Sequence, residues 1–490
     1  MKVLLLIVCT AVVAAAENWP QFRGPGASGL AVGKVPTEFT PGSKAQVWKT
    51  PVPFGQSSPS IWGDRIFLTS GTRDAKELTV AAFDRRNGKQ LWQRSIPVRS
   101  TEKTHEMGSP ATGTVAADAD RIYVYFASAG LFSFSHDGKD LWSLPLPTPG
   151  KWNGSGTSPV LAGHTVLLNR DDPEEAYLLA VDRSTGKQVW KQSYGDPLRR
   201  PGVSNTSTPL VVGNEVLVHR SNELVALDAA TGVRRWNVNV NSTGVSTPVV
   251  AGDLVFVSTW NNVGEPELRK ELPTWETLIG GDADADGKLA VTELPKVFEM
   301  AQRPGLDLAS AQLNLPAGVI LGAADRDKDG KLSKEEFNAF IGGIRAMSVR
   351  DHGLIAVRRG EKGDLTSTNI IWQHSRNIGE VPTPLVVNNR VYIVTNGGVV
   401  TCNDAKTGKV LYRGRLGAPG GYYASPIMVD GHIYFSSGDG VITVVREGDT
   451  LEVVSRNDLQ EPIHATPAVV NNTMYVRTAG HLYAFRNPAR

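Results

Sequence analysis

An all-β fold, an eight-bladed β-propeller of four-stranded blades with a small all-α insertion in blade five, is predicted by three features of the sequence. A Ser/Thr-Pro pair opens a short apolar strand eight times, at Pro59, Pro110, Pro159, Pro209, Pro248, Pro384, Pro426 and Pro467. Most units then run into an Asp-to-Gly turn that ends on an aromatic residue four positions past the Gly. One spacing alone breaks the rhythm: 136 residues separate Pro248 from Pro384, whereas the other six gaps run from 39 to 51.

Taken from the start, "MKVLLLIVCTAVVAAAENWPQ" has a basic residue, Lys2, an apolar stretch from Val3 to Val13 and small residues at Ala14 to Ala16. That order predicts a signal peptide over 1–16, cleaved near Ala16, and hence a periplasmic or secreted protein. Removal of Cys9 with it leaves Cys402 as the single thiol, so no intrachain disulfide is expected. Lys plus Arg (51) nearly balances Asp plus Glu (49), which gives no reason to expect a nucleic-acid partner. No later apolar run is long enough for a transmembrane helix. Fifty Gly, thirty Pro and 7% aromatics suit many short strands joined by turns.

Residues 17–44 form an N-terminal arm ahead of the repeats, and 45–260 the first part of the propeller. Each unit starts with a run such as "TPVVAGDLVFVST", two alternating strands around a tight Gly or Asn hairpin. The second half reads "AAFDRRNGKQLW", "LAVDRSTGKQVW", "VALDAATGVRRW" or "VTCNDAKTGKVLY". Asp and Thr or Asn cap the turn there, and Gly supplies the positive φ that closes it. Trp92, Trp190, Trp236 and Tyr412 hold the aromatic position, with Trp142 in a shortened copy, and each is expected to pack between blades. The last unit, "HLYAFRNPAR", lacks a fourth strand; "AQVWKTP" near the N-terminus, with Trp48, is expected to supply it and close the ring.

The long gap places about 95 extra residues between "LVFVSTW" and "HGLIAVRR", the second and third strands of blade five. The insertion is taken as 261–350, and 351–490 as the rest of the propeller. In an antiparallel blade such a loop lies on the same face as the connections between blades, and the tight turns lie on the other face. The insertion therefore stands on the face of long, polar connections, where binding is expected.

Inside it, "DADADGKLAVTE" and "DRDKDGKLSKEE" repeat one spacing. Asp282, Asp284 and Asp286 take positions 1, 3 and 5, Gly287 takes the turn at 6 and Glu293 falls at 12; Asp325, Asp327, Asp329, Gly330 and Glu336 match them. Calcium requires six to eight hard oxygen ligands, which three Asp, the backbone carbonyls of Lys288 and Lys331 and a bidentate Glu would supply. Leu289 and Leu332 at position 8 should pair the two loops. "TWETLIGG" and "GVILGAA" are expected as entering helices, "VTELPKVFEMAQ" and "SKEEFNAFIGGIRAM" as exiting ones, with Pro295 tolerated in a first helical turn. Ala290 at position 9 of the first loop offers no side-chain oxygen. The pattern resembles a paired EF-hand and implies two calcium ions in a structural role.

The repeats with their Ser/Thr-Pro starts resemble the tryptophan-docking repeats of pyrroloquinoline-quinone-type propellers, and "NWPQFRGPGASG" resembles the opening of secreted members of that family. The resemblance implies the propeller fold and leaves two functions, because quinoprotein dehydrogenases and non-catalytic assembly propellers share it. Dehydrogenases of this class seat their quinone on a ring of adjacent cysteines, and Cys402 stands alone, in the place of a small core Ala. Gln56, Glu106, Asn205, Glu380, Tyr423 and His464 could line a funnel, but fit no quinone and calcium arrangement. No catalytic residue is assigned. The expected function is an exported calcium-binding scaffold for an envelope or extracellular protein or glycan, monomeric, similar in this respect to the propeller subunit of outer-membrane β-barrel assembly. The alternative is a pyrroloquinoline-quinone-dependent dehydrogenase of alcohols or sugars.

Overall fold

The computed structural model of the chain describes residues 18–105, 107–150, 154–172, 174–195, 206–261, 265, 268–302, 312–347 and 352–488. The expected signal peptide, and Glu106 and Asn205 of the expected funnel, lie outside the described residues. Eight sheets follow one another along the chain as blades. Blade one runs Ser60–Trp62, Arg65–Gly71, Leu78–Asp84 and Gln90–Ile96, paired in that order. Blade five joins Val249–Ala251 and Leu254–Ser258 to Leu354–Arg358 and Ile370–His374. In blade eight the outer strand is Gln46–Pro51 from the N-terminal end, laid antiparallel on His481–Arg486. The second and third strands of each blade are covered on both sides by neighbouring blades, so they read as nearly continuous apolar runs, as in "RIYVYF".

The docking aromatics pack as the repeat implies. Gly88, Gly138, Gly186, Gly232 and Gly408 lie under Trp48, Trp92, Trp142, Trp190 and Trp372 of the preceding blade, so close that a Cβ would fall within 3 Å of the ring. The positive φ of Gly88 (74°) and the bare ring above it therefore select Gly twice over. The indoles of Trp48, Trp92, Trp142 and Trp372 donate to the carbonyls of Arg85, His136, Arg183 and Ala405 across the junction. Each docking residue sits at a register shift opposite a small partner, such as Ala82 for Trp92. Cys402 faces Tyr412 in the same way; it is fully buried, and burial pushes its thiol up to about 12.

The Ser/Thr before each inner strand has a role of its own. The amides of Ser58, Thr114, Ser158, Thr247, Thr383, Ser425 and Thr466 donate at 3.0–3.1 Å to the hydroxyls of Thr114, Ser158, Thr208, Thr383, Ser425, Thr466 and Ser58. These seven bonds link blade to blade around the axis, and the Pro that follows every member but Thr114 holds the hydroxyl-bearing residue extended. In blade two the member is Thr114, not the expected Ser109. The inner strand there starts at Ala116, and Ser109 instead caps a turn by accepting from the Ala111 amide.

The N-terminal arm is a plug and a staple. Trp19 bridges to Ile61 in blade one, Pro20 accepts from Ala117 in blade two, and Leu30–Ala31 adds a parallel strand to Ile427–Val429 in blade seven. Arg23 is fully buried and donates to the carbonyls of Ala27, Ser28, Thr383, Pro384 and Pro426. Burial lowers its pKa to about 9, still above neutral pH. Asn18 bonds the turn amide of Gly63, so the plug lies on the tight-turn face. Blade seven has Ser455 where other blades carry the docking aromatic. Phe39 of the arm fills that place, 6.5 Å from Tyr434 and 4.8 Å from Phe485.

Candidate metal centre

The insertion leaves blade five after Ser258 and returns at Leu354, between second and third strands, opposite the tight turns and the plug. Buried Glu265 anchors the outgoing segment by accepting from the Asn377 amide in the connection to blade six. Beyond it lies a separate core built from Trp275, Leu278, Leu289, Phe298, Ile320, Leu332, Phe337 and Ile341, among others, with Trp275 and Phe337 in ring contact at 5.9 Å.

Three of the four expected helices form. Thr274 caps α1 (Trp275–Leu278), which tightens into a turn over Ile279–Gly281; α2 spans Ala317–Ala324 and α3 Lys334–Met347. The fourth does not. "VTELPKVFEMAQ" makes a turn and then an extended arm, Val297–Gln302, paired with Gln312–Pro316. Pro295 explains the correction: it lacks the N–H that a second helical turn needs, and its ring would strike the carbonyl of Val291. The arm still delivers Phe298 and Met300 to the module core.

The loops have matching geometry. Leu289 pairs with Leu332 and Ala290 with Lys331 in a two-stranded bridge. Position 1 accepts from the Gly at position 6 at 2.9 Å in both loops, through Asp282 and Gly287 and through Asp325 and Gly330. Position 3 accepts from position 5 at 3.3 Å and 3.2 Å, and position 5 from position 7 at 2.8 Å in each. Glu293 folds back onto the amides of Ala283 and Ala290; Glu336 folds onto those of Arg326 and Ser333 and the Ser333 hydroxyl. These bonds bring carboxylate oxygens of Asp282, Asp284 and Glu293 within 4.8 Å of one another, and likewise those of Asp325, Asp327 and Glu336.

Asp286 and Asp329 pair with the lysines, as do Asp284 and Asp327. Lys331 contacts Asp284 (2.6 Å) and Asp286, while Lys288 contacts Asp327 (3.4 Å) and Asp329, so each lysine crosses to the other loop. Lys331 holds the Asp284 carboxyl low, and Lys288 does the same for Asp329. The Ser333 hydroxyl and amide hold Glu336 at about 2. All are anionic at neutral pH. One oxygen of Asp282 and one of Asp325 are buried with no donor. Two acceptors shielded from water, each beside two further carboxylates, are what a hard cation would satisfy. The donor set is oxygen throughout, which suits calcium rather than zinc.

The four funnel residues among the described ones do not gather into one site. Gln56, Tyr423 and His464 meet across blades one, seven and eight, with Gln56 at 3.4 Å from the His464 ring nitrogen and Tyr423 at 4.9 Å ring to ring. Glu380 bonds Asn396 at 2.9 Å in blade six instead. The arm plug is the feature sequence reasoning missed; its one signal is an Arg followed by glycines in "FRGPG".

The family model described as outer membrane protein assembly factor BamB matches residues 33–169, 76–296 and 320–487. The BamB of Yersinia pestis is 25% identical over 272 residues, 51% of this chain and 64% of that protein; that of Shewanella oneidensis is 24% identical over 247, 48% and 51%. The match thus spans less than two thirds of these relatives. Among solved structures, BamB from Moraxella catarrhalis is similar with a TM-score of 0.51 at 14% identity, covering 90% of this chain and 99% of that one. A europium-containing methanol dehydrogenase gives 0.57 at 13%, covering 96% and 98%. Eight docked blades, their closing strand and the family match together establish that the chain belongs to the PQQ-like repeat β-propeller family described by BamB.

Proposed function

We propose that this chain is an exported, calcium-binding propeller that works as a non-catalytic binding or assembly scaffold for an envelope protein. The observation that carries the reading is the family match to an assembly factor, on a ring whose axis is plugged at one end by Arg23 and its arm. Ligand approach is then left to the other face, where the inter-blade connections and the EF-hand pair stand. Two calcium ions would be held by Asp282, Asp284, Asp286, Glu293 and the Lys288 carbonyl, and by Asp325, Asp327, Asp329, Glu336 and the Lys331 carbonyl. They would fix the module as a contact surface rather than act in chemistry.

Photo-crosslinkers placed in cells at exposed Lys76 and Glu174, on the connection face, and at Asp137 and Asn472, on the tight-turn face, test the reading. Cross-links to an envelope protein from the first pair alone are expected; equal cross-linking from the second pair would sink it. Titration of pyrroloquinoline quinone with calcium present tests the alternative. Stoichiometric uptake with alcohol- or sugar-dependent dye reduction would make the protein a dehydrogenase.

A further inference from the structure

On the tight-turn face, between blades eight and one, a cleft of about 290 Å³ is lined by Arg85, Arg86, Asn471, Asn472, Tyr475 and Arg486. No carboxylate lines it. Other junctions on this face place a carboxylate against the cation. Asp118 lies 3.5 Å from Arg183 and accepts from the Tyr123 hydroxyl at 2.8 Å. Glu215 takes Arg359 at 2.6 Å and the Trp236 indole at 3.2 Å. Glu447 takes Arg390 at 2.7 Å. In blade eight the corresponding hairpin is Asn471-Asn472-Thr473, and the acid is missing.

Several donors are left over. Arg85 gives one terminal nitrogen to Asp64 at 3.1 Å, but its Nε is buried without an acceptor. The hydroxyl of Tyr475, a fully buried residue, lies beside the Thr473 hydroxyl and the Arg85 guanidinium. Arg486 uses Nε on the Thr473 hydroxyl at 2.8 Å, which leaves its terminal nitrogens unassigned among the described residues. Arg86 is already held by both oxygens of Asp84, at 3.0 and 2.7 Å. Two guanidinium groups with spare donors and two carboxamide side chains thus line one small space. A planar carboxylate would satisfy one fork; a tetrahedral anion with several acceptor oxygens satisfies them together.

We propose that this cleft binds a phosphate group, carried either by a small soluble phosphate or by a lipid headgroup, through Arg85 and Arg486, with the Tyr475 hydroxyl positioning Arg85. Inorganic phosphate titrated by calorimetry into the intact protein, and sedimentation with vesicles containing phosphatidylglycerol, separate the two sources. Saturable phosphate binding that weakens about tenfold or more in Arg85→Gln and in Arg486→Gln supports a soluble ligand. Vesicle binding lost in the same variants, without uptake of free phosphate, supports the headgroup. Tyr475→Phe removes only the hydroxyl and should weaken binding severalfold even if the Arg variants fold poorly. Arg358→Gln, at an exposed arginine of blade five paired with Asp253, should leave binding unchanged. No binding of either probe, or equal binding by wild type, Arg486→Gln and Tyr475→Phe, overturns the proposal.

Discussion

The propeller and the module it carries are held together by opposite means. In the ring each stabilising contact recurs from blade to blade: docking aromatics over Gly, hydroxyls on neighbouring amides, buried strands packed on both sides. The module has one small core and two loops crowded with carboxylates, moderated by two lysines that cross between them. Redundancy spreads the ring's stability over many equivalent contacts. Like-charge crowding in the module is what a bound calcium ion would relieve.

The largest expected effect tests the one part of the ring that is not repeated. Arg23→Met would strand five carbonyls, four of them in buried bonds, and should lower propeller stability by on the order of 5 kcal/mol in denaturant melts. A loss under 1 kcal/mol would mean that the plug is ornamental. Next comes Phe39→Ala, expected to cost about 4 kcal/mol because the arm ring substitutes for a docking aromatic. If it matched an exposed-site substitution, the ring would not need a filled junction at blade seven.

His219 gives the ring a pH dependence of its own. It is fully buried, bonds the Ser246 carbonyl at 2.8 Å, and burial lowers its pKa to about 4. The folded state therefore prefers the neutral ring. Its contribution is complete above the unfolded pKa near 6.5 and is lost as pH falls from there towards 4, about 3 kcal/mol in all. His219→Gln should flatten that slope; an unchanged slope would assign acid sensitivity elsewhere. The smallest effect concerns the module alone. Calcium at a hundredfold excess over Kd should stabilise it by about 2.7 kcal/mol without moving the propeller transition. Glu336→Gln should abolish most of that gain, and chelation should reduce helical circular dichroism. Helices that survive chelation would contradict the structural role.

Much of this was legible in the sequence, for a physical reason: repetition averages out local ambiguity. Eight Ser/Thr-Pro starts and a fixed Gly-to-aromatic offset located the blades, and the single broken spacing located the insertion. The loops were legible because carboxylate spacing on a tight turn is set by covalent geometry. What escaped lies where one copy departs from the pattern. Trp372 docks blade five but follows a longer turn, so its offset from Gly is lost. Thr114 takes the place expected of Ser109, and it escaped the pattern because Val115, not Pro, follows it. The exiting arm after Glu293 looked helical by composition, and Pro295 alone decided otherwise. Phe39 and Arg23 act through partners hundreds of positions away, such as the Asn457 that accepts from the Phe39 amide, and no local pattern carries that information.

The closing strand has a consequence for how the chain is made. Gln46–Pro51 pairs with His481–Arg486, which is synthesised after the other seven blades. Blades one to seven can each form as their own hairpins appear, but the circle stays open, with the outer strand of the eighth waiting unpaired. Completion is thus a late, all-at-once event, and an unpaired strand beforehand is an invitation to pair with another chain. Speed of closure, more than final stability, then sets the yield of correctly assembled rings.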